Sequence, residues 1–111
     1  MDAITSLTLA RALDGLHQRQ IATAYNIANA GTPSFRALTV RFEDQLRAAA
    51  RKGPAALAGV TAQTVQGPAR SGERLDLEVA TASETALRYS ALVEIAGRRM
   101  AIDRAVLSGG R

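Results

Sequence analysis

Apolar side chains in the first thirty residues recur every three or four positions, which is the period of an α-helix. Asp2 is suited to cap the start of this helix, and Gly31, in a left-handed conformation, and Pro33 are suited to end it. The pattern predicts one helix over residues 3–29, about 40 Å long at about 1.5 Å per residue. Its stripe comprises Ile4, Leu7, Leu9, Leu13, Leu16, Ile21, Ala24, Ile27 and Ala28.

A second and broader apolar stripe occupies the end of the chain. Asp76 is suited to cap its start, while Thr81 and Glu84 have capping-box spacing and offer a later start. The pattern predicts about 30 helical residues, ending at Gly109-Gly110. Two long amphipathic helices predict a helical hairpin, in which each buries its stripe against the other or a neighbouring molecule. The stripe comprises Leu77, Ala80, Leu87, Tyr89, Leu92, Val93, Ile95, Ala96, Met100, Ile102, Val106 and Leu107.

The middle of the chain has a weaker pattern. Phe42 and Leu46 begin the stripe of a short helix over residues 40–52, which Thr39 caps and Gly53-Pro54 ends. Residues 53–74 predict a mobile loop with one short strand over 60–65 and room for a small β-hairpin. We expect a mainly α protein whose segments 1–34, 35–74 and 75–111 form one domain: two long terminal helices in a hairpin or coiled coil, a short middle helix and a flexible loop.

Composition favours helices but not a large core. Ala supplies 23 of the 111 residues, and aromatic residues make up 4%. Ala is the best helix former but buries little apolar area, so close-packed helices are expected rather than a bulky interior. We therefore expect a chain that is marginally stable alone and gains stability from partners.

The sequence offers little chemistry. There is no Cys and His17 is the only histidine, so disulfides, thiol nucleophiles and the usual zinc sites cannot be built within one chain. We expect neither enzymatic activity nor a cofactor, metal or small-molecule substrate. No apolar run reaches the roughly 18 residues of a membrane span. Asp2, Arg11 and Asp14 argue against a secretory signal.

The net charge of +4 is concentrated in the middle segment. Arg47, Arg51 and Lys52 lie near one face of the predicted middle helix and could contact phosphates, which raises the alternative of a small basic nucleic-acid-binding module spanning residues 41–74. No aromatic residues are interleaved for base stacking. A solvated basic loop explains the same charges, and a helical chaperone or adaptor for a secretion system is a third alternative.

The end of the first helix carries a distinctive run. Asn26 and Asn29 share a helix face, and their amides could bond the following turn or a neighbouring subunit. Small residues keep the corner thin and Pro33 fixes the exit of the chain, although ordinary helix termination also explains them. The candidate assembly motif comprises Asn26, Ile27, Ala28, Asn29, Ala30, Thr32, Pro33 and Phe35.

This run resembles the N-terminal signature of flagellar rod proteins, N-I-A-N-A-x-T-P-G-Y-K-A. Residues 40–46 are similar to that family's V-D-F-E-x-x-L, and residues 75–78 and 87–92 resemble its V-D-L-E and L-R-Y-Q-A-L. The resemblance covers most of the chain except residues 53–72 and is closest to the proximal-rod family FlgB. Ser34 and Phe35 stand where that family has Gly and Tyr, and a positive φ after Pro33 would be strained at Ser34.

The resemblance implies a structural subunit of the bacterial flagellar basal body, in the rod that spans the periplasm and transmits torque to the hook. It implies polymerisation through the terminal helices into a helical shaft. The implied partners are copies of itself, other rod proteins, the rod adaptor FliE, the basal membrane-ring protein and the flagellar type III export apparatus, with no nucleic acid. The candidate helix interfaces are Leu9, Leu13, Leu16, Ile21, Leu87, Tyr89, Leu92, Ile95, Ala96 and Ile102.

Overall fold

Two long helices at the ends of the chain enclose a small α/β segment in the computed structural model, which describes residues 1–68 and 75–109. The mainly helical architecture confirms the predicted fold class. The molecule measures 64 × 26 × 13 Å, and its radius of gyration is 17.5 Å, against about 13 Å for a compact domain of this length. The elements are α1 (Ala3–Ala28), β1 (Leu38–Arg41), α2 (Glu43–Lys52), α3 (Pro54–Ala58), β2 (Gln63–Gln66) and α4 (Leu75–Gly109).

The two long helices form an antiparallel hairpin. The amino group of Met1 lies 2.8 Å from Oδ2 of Asp103, and Nδ2 of Asn26 donates to Oε2 of Glu78 at 3.1 Å. The start of α1 therefore lies beside the end of α4. The α4 residues shielded from solvent are spaced alternately by four and three, which is the heptad spacing of a coiled-coil seam. They are Glu78, Ala82, Thr85, Tyr89, Leu92 and Ala96.

The apolar core lies between α1 and the middle segment, and Tyr89 and Leu92 of α4 pack against it. Strands β1 and β2 pair antiparallel, with Leu38 opposite Gln66 and Arg41 opposite Gln63. We call residues 11–26 and 38–66 the core module. Its buried apolar residues are Leu16, Ala22, Val40, Phe42, Leu46, Ala49, Leu57 and Val60.

Gly15 is needed because the ring of Phe42 lies directly on the α1 backbone. A Cβ at Gly15 would stand 2.5 Å from two ring carbons, well inside van der Waals contact. The guanidinium of Arg19 covers the same ring, with its Cζ 4.9 Å from the ring centroid. The glycine that weakens α1 as an isolated helix thus lets β1 and α2 approach it closely.

The prediction for the middle segment was wrong in three details. Leu38, Val40 and Phe42 alternate at the period of a strand, so β1 takes residues assigned to the helix, and Phe42 rather than Thr39 stands at the N-cap of α2. Strand β2 begins at Gln63 rather than at residue 60. The expected mobile loop contains α3, whose Leu57 is fully buried. The remaining part of that loop, residues 69–74, lies outside the described residues.

The helix ends also differ from the prediction. Asn29 is the C-cap of α1, and Gly31 does not have the left-handed backbone expected of it. Asp76 lies in the first turn of α4 rather than at its N-cap, and Thr81 lies well inside the helix. Asp2 caps α1 as predicted, because its Oδ1 accepts the Thr5 backbone N–H at 2.7 Å. That hydrogen bond lowers the pKa of Asp2.

Candidate assembly surfaces

Asn26 is committed to contacts within the chain. Its side chain is 2% exposed. Oδ1 accepts the backbone N–H of Leu38 at 2.8 Å, and Nδ2 donates to the Leu38 carbonyl at 2.8 Å and to Glu78. The amide thus pairs with the start of β1 as a neighbouring strand would, while also contacting α4. Asn26 ties three elements together, and its burial makes the amide inaccessible to another subunit.

Asn29 closes the turn that follows α1. Its Nδ2 donates to the Tyr25 carbonyl at 3.0 Å, and its Oδ1 accepts the Thr32 hydroxyl at 3.2 Å. The Thr32 backbone N–H donates to the Asn29 carbonyl at 2.9 Å, and that of Phe35 donates to the Thr32 carbonyl at 3.2 Å. The sequence predicted that these amides bond either the following turn or a neighbouring subunit. In the structure, Asn29 bonds the following turn, and Asn26 bonds β1 and α4 of its own chain.

The corner itself is strained and lies at the surface. Ser34 has φ of 60°, the positive value that would be strained at a non-glycine residue after Pro33. A non-glycine residue in this region costs about 1–2 kcal/mol. The ring of Phe35 packs against Tyr25 with centroids 5.4 Å apart and holds the turn closed. Residues 31–34 are exposed, Ile27 and Ala30 are half-buried, and Ala28 is exposed. The corner is therefore accessible to another molecule.

The predicted helix-interface residues divide into two groups. Leu16 is buried, and Leu9, Leu13, Tyr89, Leu92 and Ala96 are partly shielded. Tyr89 also faces His17, with ring centroids 6.5 Å apart. The second group is left open by the hairpin: Ile21 is 59% exposed, Leu87 73%, Ile95 48% and Ile102 55%. A single chain thus uses only part of the predicted interface.

Several exposed apolar residues of α4 border its seam, and they lie on both sides of it. Val93, Met100 and Leu107 are seven residues apart on one side, which we call flank A, and are 47%, 56% and 80% exposed. Ile95 and Ile102 lie on the other side, flank B. In heptad terms these are the e and g positions, which usually carry charges in a two-stranded coiled coil. An apolar arc this wide is typical of a helix with more than one packing partner.

An ion pair that the sequence did not reveal fastens α2 to α1. The guanidinium of Arg19 donates to both carboxylate oxygens of Glu43, at 2.6 and 2.7 Å, and to the Val40 carbonyl at 2.7 Å. These hydrogen bonds hold the pKa of Glu43 below its usual value. Arg19 and Glu43 are 24 positions apart in the chain, so no local sequence pattern identifies them as partners.

Within residues 1–68 and 75–109, no group of three or more His, Cys, Asp or Glu could hold a metal ion. Nor is any helix of the described chain long and apolar enough to cross a membrane. Arg47 pairs with Asp44 at 3.0 Å, while Arg51 and Lys52 are exposed at the end of α2.

Comparison with known proteins adds no relative. No protein-family model matches this chain, and no curated protein matches it significantly.

Proposed function

We propose that this chain is a structural subunit of the bacterial flagellar proximal rod, which polymerises through its terminal helices into the shaft that transmits torque to the hook. One structural observation carries the proposal: both flanks of the α4 seam are apolar and exposed. The resemblance of residues 26–37, 40–46, 75–78 and 87–92 to rod-protein motifs supplies the class of assembly.

Flanks A and B lie on opposite sides of the contact between α4 and α1. A neighbour on one side would cover Val93, Met100 and Leu107, and a neighbour on the other side would cover Ile95 and Ile102. Exposed apolar patches of this kind mark interaction surfaces in proteins that are otherwise polar outside. Neighbours on two sides are what a subunit in the wall of a helical tube requires.

The partners in this proposal are copies of the chain itself, other rod proteins, the rod adaptor FliE and the membrane-ring protein at the rod base. Its location is the basal body, in the rod across the periplasm. Delivery through the flagellar type III export apparatus requires an easily unfolded subunit. Low burial along α4, where Thr85 is the only buried residue, is consistent with that requirement.

The alternative of a nucleic-acid-binding module has less support. It depends on Arg47, Arg51 and Lys52, but Arg47 is already paired with Asp44. Arg51 and Lys52 lie in the last turn of α2, where positive charge stabilises the helix dipole. Duplex DNA binding whose affinity falls steeply with salt would favour this alternative.

Deletion of the gene from its host, followed by rescue, tests the rod proposal. We expect the deletion strain to lose swimming and to lack rods in electron micrographs of its basal bodies, and the wild-type gene to restore both. Met100→Asp should fail to rescue because it places a charge in flank A. Ala101→Asp is the matched control, since Ala101 is also exposed but lies on the face of α4 opposite the seam, away from both flanks. A deletion strain with normal rods would contradict the proposal.

A further inference from the structure

Strand β2 has one side without a neighbouring strand. In an antiparallel pair, successive residues point their backbone N–H and C=O groups alternately toward and away from the partner. The Gly67 N–H donates to the Ala37 carbonyl, just before β1, at 2.8 Å, so the backbone groups of Val65 also face β1. Those of Thr64 and Gln66 therefore face outward, and within residues 1–68 and 75–109 they have no hydrogen-bond partner.

The open side of β1, by contrast, is closed by side chains of α1. Asn26 bonds both backbone groups of Leu38, and Arg19 bonds the Val40 carbonyl, so side chains take the place of another strand there. Among the described residues, the outward groups of β2 have no such cover. Residues 53–69 also contain no charged residue. Charged side chains commonly protect an exposed edge from pairing with other chains, and their absence leaves β2 available for a further strand.

Helix α1 continues beneath the place where that further strand would lie. Arg19 bonds β1, and Gln18, about 100° away around the helix, donates to the Thr64 hydroxyl of β2 at 2.7 Å. The next positions around α1 in the same direction are Tyr25 and then Ile21. They are 52% and 59% exposed. The place beside β2 thus lies over an apolar stripe of α1.

A shallow groove occupies this place. It lies between α1 and the sheet and has a volume of about 210 Å³. The Tyr25 ring is supported by Phe35, with centroids 5.4 Å apart, so Tyr25 is a wall of the groove and Ile21 is its main open apolar surface. The lining residues, none of them charged, are Gln18, Ile21, Ala22, Tyr25, Leu38 and Thr64.

We propose that β2 binds an extended segment of another protein as a third strand of the sheet, with large apolar side chains of that segment in the Ile21–Tyr25 groove. The backbone edge requires a strand, because the outward groups of alternate residues match the hydrogen-bonding groups of an added strand. The groove selects the side chains, because every second residue of a strand points to the same face. This surface is separate from flanks A and B, and the inference does not depend on the assembly proposed above.

The β2 strand of a second copy would fit the groove poorly. Thr64 and Gln66 lie opposite Val40 and Leu38, so their side chains share the face of the sheet that packs on α1. Pairing two β2 strands through their open edges would direct the Thr and Gln side chains of the second copy toward the apolar groove, where a Gln amide would lose its contacts with water. A segment with Val, Ile or Leu at those positions would bury apolar surface instead.

Amide hydrogen exchange with a synthetic peptide tests the contact. The probe is a short peptide with Ile and Thr in alternation and Lys at both ends, and the control peptide has the same composition with its Ile residues consecutive. The Thr64 and Gln66 amides should exchange rapidly in the free protein, and the alternating peptide should slow both by about 10-fold or more. The Val65 amide, which faces β1, should change less. The control peptide should leave all three unchanged.

A substitution in the groove tests its part in binding. Ile21→Asp should weaken binding of the alternating peptide by about 10-fold or more, because it places a charge beneath the added strand. Ile4→Asp is the matched control: Ile4 is also an exposed isoleucine of α1, at 43%, but lies about 26 Å from Ile21 along the helix at about 1.5 Å per residue. It should leave binding unchanged. Fluorescence anisotropy of labelled peptide measures the affinity of each variant.

Three results would overturn the inference. The first is unchanged exchange of the Thr64 and Gln66 amides at the highest soluble concentration of the alternating peptide. The second is equal binding of that peptide by the Ile21→Asp and Ile4→Asp proteins. The third is protection of the Thr64 and Gln66 amides that rises with protein concentration in the absence of peptide, since this would assign the open edge of β2 to a second copy of the chain.

Discussion

The core module and α4 use their apolar residues in opposite ways. Helix α3 has five residues, and its Leu57 is 0% exposed. Helix α4 has 35 residues, all of them described, and Thr85 is the only one that is buried. Short elements in the module are thus held from several sides, whereas the longest helix touches the rest of the chain along one narrow seam.

The contrast separates the apolar residues that stabilise the single chain from those that remain available to bind other molecules. Phe42, Leu46 and Leu57 are buried within the module. The module is therefore stabilised by contacts inside the single molecule. Helix α4 retains exposed apolar flanks, so much of the free energy available from its burial remains for contacts with other molecules. Substitutions at matched positions in the two regions test this contrast.

Removing a core side chain should have the largest effect on stability. Leu57→Ala leaves a cavity in the module and should lower the free energy of unfolding by about 2–5 kcal/mol. The control, Leu107→Ala, alters a side chain that is 80% exposed and should change it by less than about 0.5 kcal/mol. Urea denaturation of dilute protein measures both. Similar losses for the two variants would show that α4 is as well packed as the module.

Two glycine substitutions should change stability in opposite directions. Gly15→Ala gains helix propensity but forces the Phe42 ring to move, so we expect a net loss of about 1–3 kcal/mol. At Gly97 in α4 an added Cβ meets nothing within 4 Å, so Gly97→Ala should stabilise by about 0.5–1 kcal/mol. Thermal unfolding measures both. Stabilisation by Gly15→Ala would refute the close packing of Phe42 on α1.

The strained corner should respond to glycine. Ser34→Gly relieves a positive φ and should raise the free energy of unfolding by about 1 kcal/mol. Gly31→Ala is the control, because Gly31 lacks a positive φ and a Cβ there meets nothing within 4 Å. That substitution should be neutral or slightly stabilising. Destabilisation by Ser34→Gly in the same unfolding experiment would argue that the Ser34 backbone is not left-handed.

The smallest effect should come from protonating Glu43. Its pKa is depressed by Arg19 in the folded chain, and the ordinary value is 4.5. The contribution to stability is therefore complete above about pH 4.5 and is lost as the pH falls through the lower folded pKa. Because Glu43 is partly exposed, we expect this contribution to the free energy of unfolding to be no more than about 1 kcal/mol.

Urea unfolding from pH 7 to pH 3 measures this contribution as the difference between wild-type protein and Glu43→Gln. The difference should shrink below pH 4.5. Asp44→Gln is the control, because the Asp44 side chain is fully exposed next to Arg47. A wild-type advantage that grows on acidification would contradict the assigned ion pair.

Local periodicity was enough to predict the two long helices and their hairpin. It failed where partners are distant in sequence: β1 exists because Leu38 and Val40 pair with residues 64–66, and Asn26 is buried because its amide meets Leu38. Local spacing in the α4 stripe does not distinguish residues that face α1 from those left open. Tyr89 and Leu92 were therefore grouped with Leu87, Ile95 and Ile102, although only the first two contribute to the seam.

Hydrogen exchange of α4 amides before and after assembly tests the central claim most directly. Residues 93–107 should exchange much faster than the amides of Leu46 and Leu57 in dilute protein, because only one narrow seam holds the helix. When the protein is concentrated until it sediments as particles, protection of residues 93–107 should rise by about 100-fold or more, with little change in the module. A monomer at every concentration, with residues 93–107 already protected as strongly as the module, would contradict the account.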